Sequence, residues 1–397
     1  MSIVVADFDP FDPLVAADPY PWYSLLRRDA PVHHVASHDL WVVSRYEHVR
    51  TVLGDTSTFS NEAMAAAVSR PSLRTGEEPD AISIIGLDGD DHTRLRRIVN
   101  RGFTPRRVAE LADMVSATVD ELLSPVRGRG PFDLVTELAV PVPNRVIAAM
   151  LGVDVAVQAD FGRWAEVMVG VVFDPDGVGV DDALESASDQ MNEWLDEAMA
   201  KIDADSGDDL VSVLMRAEDD DVLTTSEMRV FVFTLLVAGS FTSRHLISNT
   251  VRALLDHPDQ LQAIIDDPGL IDAVVEEGLR YDSPAQWMLR TAMVDVDIDG
   301  TSIPAGATVL GLIGSANRDE AVFVDADRFI LDRPSGDHLA FGHGAHYCLG
   351  AAVARLEVRI TLGALLADIE SVRQTGPAER LDSFAFRGLR HLPIEIT

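Results

Sequence analysis

The chain has one cysteine in 397 residues. That excludes an internal disulfide and a zinc site built from several thiolates, and it suits a reducing cytosol. Cations are scarce too: 32 Lys and Arg stand against 65 Asp and Glu, a formal net charge of −33. Such a balance argues against non-specific binding to nucleic acid or anionic membranes. No apolar run approaches the roughly 20 residues of a bilayer-spanning helix; the longest, FVFTLLVAGSF from Phe231 to Phe241, reads as a buried helix. The opening MSIVVADFDPF lacks the charged segment and apolar stretch of a signal peptide, so a cytoplasmic location is expected. Length alone would permit two or three domains of roughly 100–200 residues. The lack of any Pro/Gly/Ser linker, low-complexity run or repeat favours a single domain over residues 1–397. No G-x-G-x-x-G fingerprint for a dinucleotide and no four-cysteine cluster for iron–sulfur occur.

What is present is an apolar fraction of 47% with mean hydropathy near zero, enough for a large core. The layout is mainly helical with small sheets at the edges. Residues 30–35 and 40–46 resemble a strand pair across a turn, and 294–310 alternates and turns like strands. Helices dominate 47–280 and 351–368, and FRGLRHLPIEI near the end reads as a loop and a terminal strand. The clearest helix opens at Thr224, where TTSE offers an N-cap with Glu227 three residues on, and its apolar periodicity runs from Met228 through Leu255. One stretch breaks the acidic pattern: HTRLRRIVNRGFTPRR holds Arg94, Arg96, Arg97, Arg101, Arg106 and Arg107 and no acid. It reads either as a solvated helix face or as a docking face for an acidic partner.

The lone cysteine, Cys348, sits in FGHGAHYCLG. Most free cysteines are small buried hydrophobes. Here Gly342, Gly344 and Gly350 permit positive φ and close backbone approach to something flat or large. A helix starts just after the cysteine, so its first amides would stabilise a thiolate. A single thiolate in a glycine-rich loop suits a metal held mainly by a cofactor, with haem iron the leading case.

The decapeptide matches F-x-x-G-x-[HR]-x-C-x-G and so resembles the haem-thiolate loop of the cytochrome P450 superfamily, soluble bacterial branch. Further motifs follow in order along nearly the whole chain. The resemblance implies the triangular single-domain fold of that family, mainly α with small β-sheets. Haem b would lie between a long distal helix and the cysteine loop, and Cys348 would be its axial ligand, with Phe341 and Gly350 of the same loop also binding the cofactor. His92 and Arg96 in DDHTRLRR, Arg290 in RTA, and His346 would meet the haem propionates, which need charge-assisted donors when buried. Glu277 and Arg280 in EGLR match E-x-x-R and lie on one helix face, and Arg328 in DADRF fits the arginine that joins them. On the long helix, Ala238 and Gly239 would lie against the haem, with Gly239 marking a widened turn or close haem approach.

The implied activity is a monooxygenase that places one oxygen atom from O2 in a small apolar substrate. Its electrons would come from a ferredoxin and ferredoxin reductase, and the protein would be a monomer. One departure stands out. The family pattern A-G-x-[DE]-T-[TS] appears here as Ala238, Gly239, Ser240, Phe241, Thr242, Ser243. Thr242 falls at the oxygen-handling threonine, and its hydroxyl is expected to bond the i−4 carbonyl at rest. Phe241 replaces the acid, and a phenyl ring neither donates nor relays a proton. Water chains, a carboxylate from elsewhere, or a peroxide-using, coupling or rearranging chemistry would each resolve this. A non-enzymatic haem sensor is the remaining alternative, and no output segment supports it. By position, the pocket would draw on residues 69–86, the segment 168–180 with its DPDG turn, Phe233, Trp287, Met288 and Phe384. Arg70 and Arg74 read as solvated surface, with a substrate carboxylate as the alternative.

Overall fold

The computed structural model describes residues 3–68, 81–154, 157, 160–164, 166–167, 180–201, 209–215, 223–334, 337–367 and 369–397. Arg70, Arg74 and nearly all of 168–180 lie outside the described residues. The architecture is mainly helical with small sheets. Its axis is a helix of 32 residues, Thr225–Asp256. The capping box forms as the sequence predicts: the Glu227 amide donates to Thr224 Oγ1 at 3.1 Å, and Glu227 Oε2 accepts from the Thr224 amide at 2.8 Å. Arg94 from the basic segment also pairs with Glu227.

This helix is buried almost all round. An 18-residue window within it is apolar enough for a membrane span, yet 67% of that window is buried inside the protein. It is therefore a core helix, consistent with the rule that helices apolar on every side sit inside large cores. Pro141–Met150, Ile271–Tyr281 and Ala351–Leu366 pack against it. Two glycines let them approach. A Cβ at Gly278 would lie 2.2 Å from Thr250 Oγ1, and one at Gly239 would lie 2.5 Å from Ile147 Cδ1. Gly239 thus serves helix packing. The widened turn expected there is not formed, because the helix runs unbroken through this position.

The principal sheet has five strands in the order Val32–Val35, Leu40–Val43, Thr308–Gly311, Met288–Ala292, Phe59–Ser60. Leu40–Val43 and Thr308–Gly311 pair in parallel, and the other neighbours are antiparallel. The strand pair near residues 30–46 is therefore present, and it is stitched to the C-terminal third of the chain. Region 294–310 splits into a hairpin, Val296–Ile298 with Thr301–Ile303, and the separate strand Thr308–Gly311. Asp299 and Gly300 turn the hairpin at φ 55° and 78°, the left-handed pair of a type I′ turn. Met288–Ala292 was not legible as a strand, because MLRTA places the charged Arg290 at a buried position.

Candidate functional site

The cysteine loop is built on two left-handed glycines, Gly342 at φ 74° and Gly344 at φ 73°. Gly344 also has no room for a side chain: a Cβ would lie 2.9 Å from the Gly54 backbone. Gly350 departs from expectation. Its φ is −84°, and it serves as the N-cap of Ala351–Leu366. Nothing lies within 4 Å of where its Cβ would be. The Cys348 amide donates to the Phe341 carbonyl at 2.9 Å, which closes the loop. The Cys348 side chain is open to solvent, yet enough protein surrounds it for desolvation to push its thiol up. The Gly350 amide, Arg96 and Arg355 pull in the opposite direction. Phe341 itself lies beneath the Arg355 guanidinium, 4.5 Å from its ring centroid.

Beside this loop, four basic side chains converge from three elements. His92 and Arg96 come from Gly89–Val99, Arg290 from the strand Met288–Ala292, and His346 from the loop. The His92 and His346 rings meet with centroids 4.0 Å apart and planes tilted by 37°. Arg96 donates to the Tyr347 carbonyl at 2.7 Å. Arg290 is almost wholly buried, and its Nε has no partner. Each of the four is driven toward its neutral form. Burial depresses His346 to about 4, with His92 and Arg290 adding to the effect. Burial likewise lowers Arg290 to about 10, and it lowers His92 and Arg96. One acid stands among them: Asp88 accepts from His346 at 3.2 Å, and it is already engaged by Ser60 and Asn61 at 2.7 to 2.8 Å. A cluster that resists its own charge for want of counter-ions is chemically matched to a ligand with buried carboxylates. The donor set therefore fits haem propionates next to a thiolate, and the cationic residues expected from sequence are brought together.

The Glu277–Arg280 pair is formed on Ile271–Tyr281, with Nε–Oε2 and Nη2–Oε1 both at 2.7 Å. The expected third partner is different. Arg328 supplies only its carbonyl, to Arg280 Nη2 at 2.8 Å. The guanidinium that reaches Glu277, at 3.4 Å, belongs to Arg333. Arg280 also donates to the carbonyls of Asn317 and Ala326, and the Ile330 amide donates to Glu277 at 2.8 Å. A buried ion pair satisfied on every side rigidifies the segment leading to the cysteine loop.

On the long helix, Thr242 donates to the Ala238 carbonyl at 2.8 Å, the i−4 bond expected. Ala238 is exposed midway along this otherwise buried helix. Phe241 points the other way, into the core. Its ring meets His245 edge-on at 4.5 Å and Phe386 at 4.9 Å, with Arg244 4.4 Å above its face. Phe241 is thus a packing residue, and no reacting group is placed on it. Two carboxylates do arrive from elsewhere. Glu166 binds Arg244 through both oxygens, at 2.6 and 2.8 Å. Glu357, buried on Ala351–Leu366, bonds Ser243, and desolvation raises its carboxyl to about 8.

The four pocket candidates fall into three clusters. Phe233 belongs to the main core, Met288 packs on the five-stranded sheet, and Trp287 packs with the N-terminal segment. Trp287 stacks on Phe384 with centroids 5.4 Å apart and donates to its carbonyl at 2.8 Å. Sequence reasoning missed Asp88, Arg333 and Arg355. Asp88 had a signal, an acid at the N-cap of the helix that carries His92; the arginines had none.

The chain matches known proteins over nearly its full length. The sequence profile described as Cytochrome P450 covers residues 29–383. Cytochrome P450 107B1 of Saccharopolyspora erythraea is 38% identical, over 98% of this chain and 98% of that protein. The vitamin D(3) 25-hydroxylase of Pseudonocardia autotrophica is 35% identical, over 95% of this chain and 93% of that one. The structure of CYP109Q5 from Chondromyces apiculatus superposes with a TM-score of 0.90 at 38% identity, covering 99% of each chain. With the thiolate loop, the cationic cluster and the buried Glu–Arg pair already in place, the match settles the family: the chain belongs to the cytochrome P450 enzymes, oxidoreductases whose haem iron is held by a cysteine thiolate.

Proposed function

We propose that this enzyme is a monooxygenase for a small apolar molecule. It would bind haem b on Cys348 and take its electrons from a ferredoxin and ferredoxin reductase. The observation that carries this reading is the juxtaposition of the only thiol in the sequence with four basic groups that share a single acid, Asp88, itself already engaged by Ser60 and Asn61. His92, Arg96, Arg290 and His346 would hold the propionates, and the Gly350 amide would stabilise the thiolate sulfur. When bound, haem iron with a thiolate ligand supplies reductive activation of O2 and insertion of one oxygen atom. The chain's own residues contribute the rest. The buried long helix excludes water on one side, Thr242 holds a hydroxyl at its open face, and Asp88 orients the His346 ring. A hydroxylase among the relatives acts on vitamin D(3), an apolar polycyclic molecule, which supports the substrate class.

The test is the spectrum of the reduced protein under carbon monoxide. The wild type should show the strongly red-shifted Soret band of thiolate ligation, and Cys348→His should move it to the ordinary imidazole position. Survival of the red-shifted band in Cys348→His would refute the ligand assignment, because the sequence has no other thiol.

A further inference from the structure

His245 lies on the long helix three residues past Thr242 and is almost wholly buried. Both of its ring nitrogens are buried without a partner, which holds for no other histidine among the described residues. Burial, with Arg244 next in effect, keeps the ring neutral by depressing its pKa well below the usual value. A neutral imidazole has one donor and one acceptor nitrogen. Leaving a polar group buried and unpaired is destabilising, so the ring nitrogens call for partners. The backbone closes tightly over it: a Cβ at Gly388 would lie 1.9 Å from its Nδ1.

The neighbours form a row. Phe241, His245 and Asn249 follow one another at i, i+4 and i+8, which places them on one helix face. The ring contact between Phe241 and His245 confirms this for the first pair. Asn249 bonds through Nδ2 to the carbonyls of Asp282 and Arg387, at 3.0 and 2.9 Å, while its Oδ1 has no partner. His245 and Asn249 therefore face the same segment, 386–388, and hold three unsatisfied polar atoms between them. That is the setting of a buried water, which typically makes about three hydrogen bonds to otherwise unpaired groups. The charged groups around the ring are Arg244 on its own helix, Glu166 beyond Arg244, and the Arg387–Asp282 pair on the segments packed against it.

Monooxygenation consumes one O2, two electrons and two protons for each oxygen atom inserted and each water released. The protons must cross a buried helix whose open face presents Thr242. Phe241 cannot carry them, and Glu166 is held by Arg244.

We propose that His245 is the proton carrier of the distal helix, passing protons from an ordered water shared with Asn249 toward the hydroxyl of Thr242. One ring nitrogen gains a proton from the water as the other releases one toward the Thr242 hydroxyl, so the ring ends neutral in the opposite tautomer, and a half-turn of the ring about Cβ–Cγ restores the first before the second transfer. The hydroxyl of Thr242, which donates to Ala238, keeps lone pairs free to accept. His245 acts through Thr242 and water, so it is a positioning and relay residue.

This inference rests on the monooxygenase reading, and the experiment separates the two. Wild type, His245→Leu, His245→Asn and Glu357→Gln are compared as haem-loaded proteins. Each is scored for peroxide released per NADH with a ferredoxin and its reductase, for peroxide-driven turnover, for the carbon monoxide spectrum and for equilibrium unfolding. His245→Leu removes the ring nitrogens together with the water they would share, so its stability should stay near wild type. Its oxygen reduction should slow about tenfold or more, within the range for a lost proton transfer, with a larger solvent deuterium isotope effect and more released peroxide. His245→Asn can hold the water but cannot pass a proton through itself, and it should behave like His245→Leu. Peroxide-driven turnover and the spectrum should stay unchanged in both. Unchanged coupling in His245→Leu, retained coupling in His245→Asn, or loss in Glu357→Gln alone would each overturn the proposal. A failed thiolate spectrum in the wild type would instead remove the reading beneath it.

Discussion

Glu277 and Arg280 meet through two parallel hydrogen bonds of 2.7 Å, with both side chains almost wholly buried. Removing one partner of such a pair leaves an uncompensated charge and costs about 3–5 kcal/mol. Arg280→Lys keeps the charge but loses the planar fork, so it is not conservative here. Both Arg280→Lys and Glu277→Gln should accumulate poorly as folded protein. Arg328→Ala should unfold at nearly the wild-type denaturant midpoint, because only its backbone carbonyl is used, and Arg333→Ala should fall between. A midpoint for Arg328→Ala as low as that of Glu277→Gln would show that its side chain, too, belongs to the network.

The buried carboxyl of Glu357 gives a pH signature. Its pKa is raised from the usual 4.5 to about 8 by desolvation, which the Ser243 hydrogen bond only partly offsets. The folded state therefore binds more protons than the unfolded chain between these values. Stability contributed by this residue is fully present below pH 4.5 and is lost as pH rises toward 8, at up to about 1.4 kcal/mol per pH unit. Glu357→Gln should unfold like wild type near pH 4 and be more stable by about 2–4 kcal/mol at pH 8. Parallel stability curves across that range would show that the carboxyl ionises normally.

Arg290 tests the cationic cluster from the opposite direction. Its buried Nε lacks a partner in the protein. Arg290→Met should stabilise the haem-free protein by about 1–3 kcal/mol, since an unpaired polar group is removed, while weakening haem retention in a transfer assay to apomyoglobin. A haem-free protein destabilised by the change would mean that Arg290 serves the fold alone.

The basic segment flanks the cysteine loop, through the bond from Arg96 to the Tyr347 carbonyl. Arg97 is exposed and Arg101 half-buried on the same stretch. On a chain of net charge −33, an acidic ferredoxin would be repelled except at such a patch. Steering raises association by roughly 10–10³-fold and is screened over about 8 Å at physiological salt. Arg97→Glu or Arg101→Glu should slow ferredoxin-driven turnover several-fold at low salt, with peroxide-driven turnover unchanged. Equal losses in both assays would indicate structural damage rather than docking.

Much of this was legible in the sequence for identifiable reasons. The cap at Thr224, the long apolar helix and the cysteine loop each combine a local signal with a strong composition bias. The strand pair at 32–43 and the DG turn at Asp299 likewise obey short-range rules. The failures are long-range. Arg333 and Arg328 lie five residues apart in one irregular segment, and only the three-dimensional path of the chain decides which guanidinium reaches Glu277. Gly239 also makes room for Ile147, nearly a hundred residues earlier, a contact that no local pattern announces. The strand Met288–Ala292 was obscured because its arginine is buried beside His92 and His346, a placement that local strand patterning does not anticipate.

The parallel pairing of Leu40–Val43 with Thr308–Gly311 also has a consequence during synthesis. The two strands are separated by roughly 270 residues, and at about 5–20 residues per second the second leaves the ribosome tens of seconds after the first. Throughout that interval the N-terminal hairpin keeps one edge of Leu40–Val43 without its partner, and unpaired edges are sites of aggregation. Closure of the sheet is a late, high-contact-order event. Chains that terminate before Thr308 would carry an open, apolar strand edge, which makes early termination more damaging here than the number of lost residues alone implies.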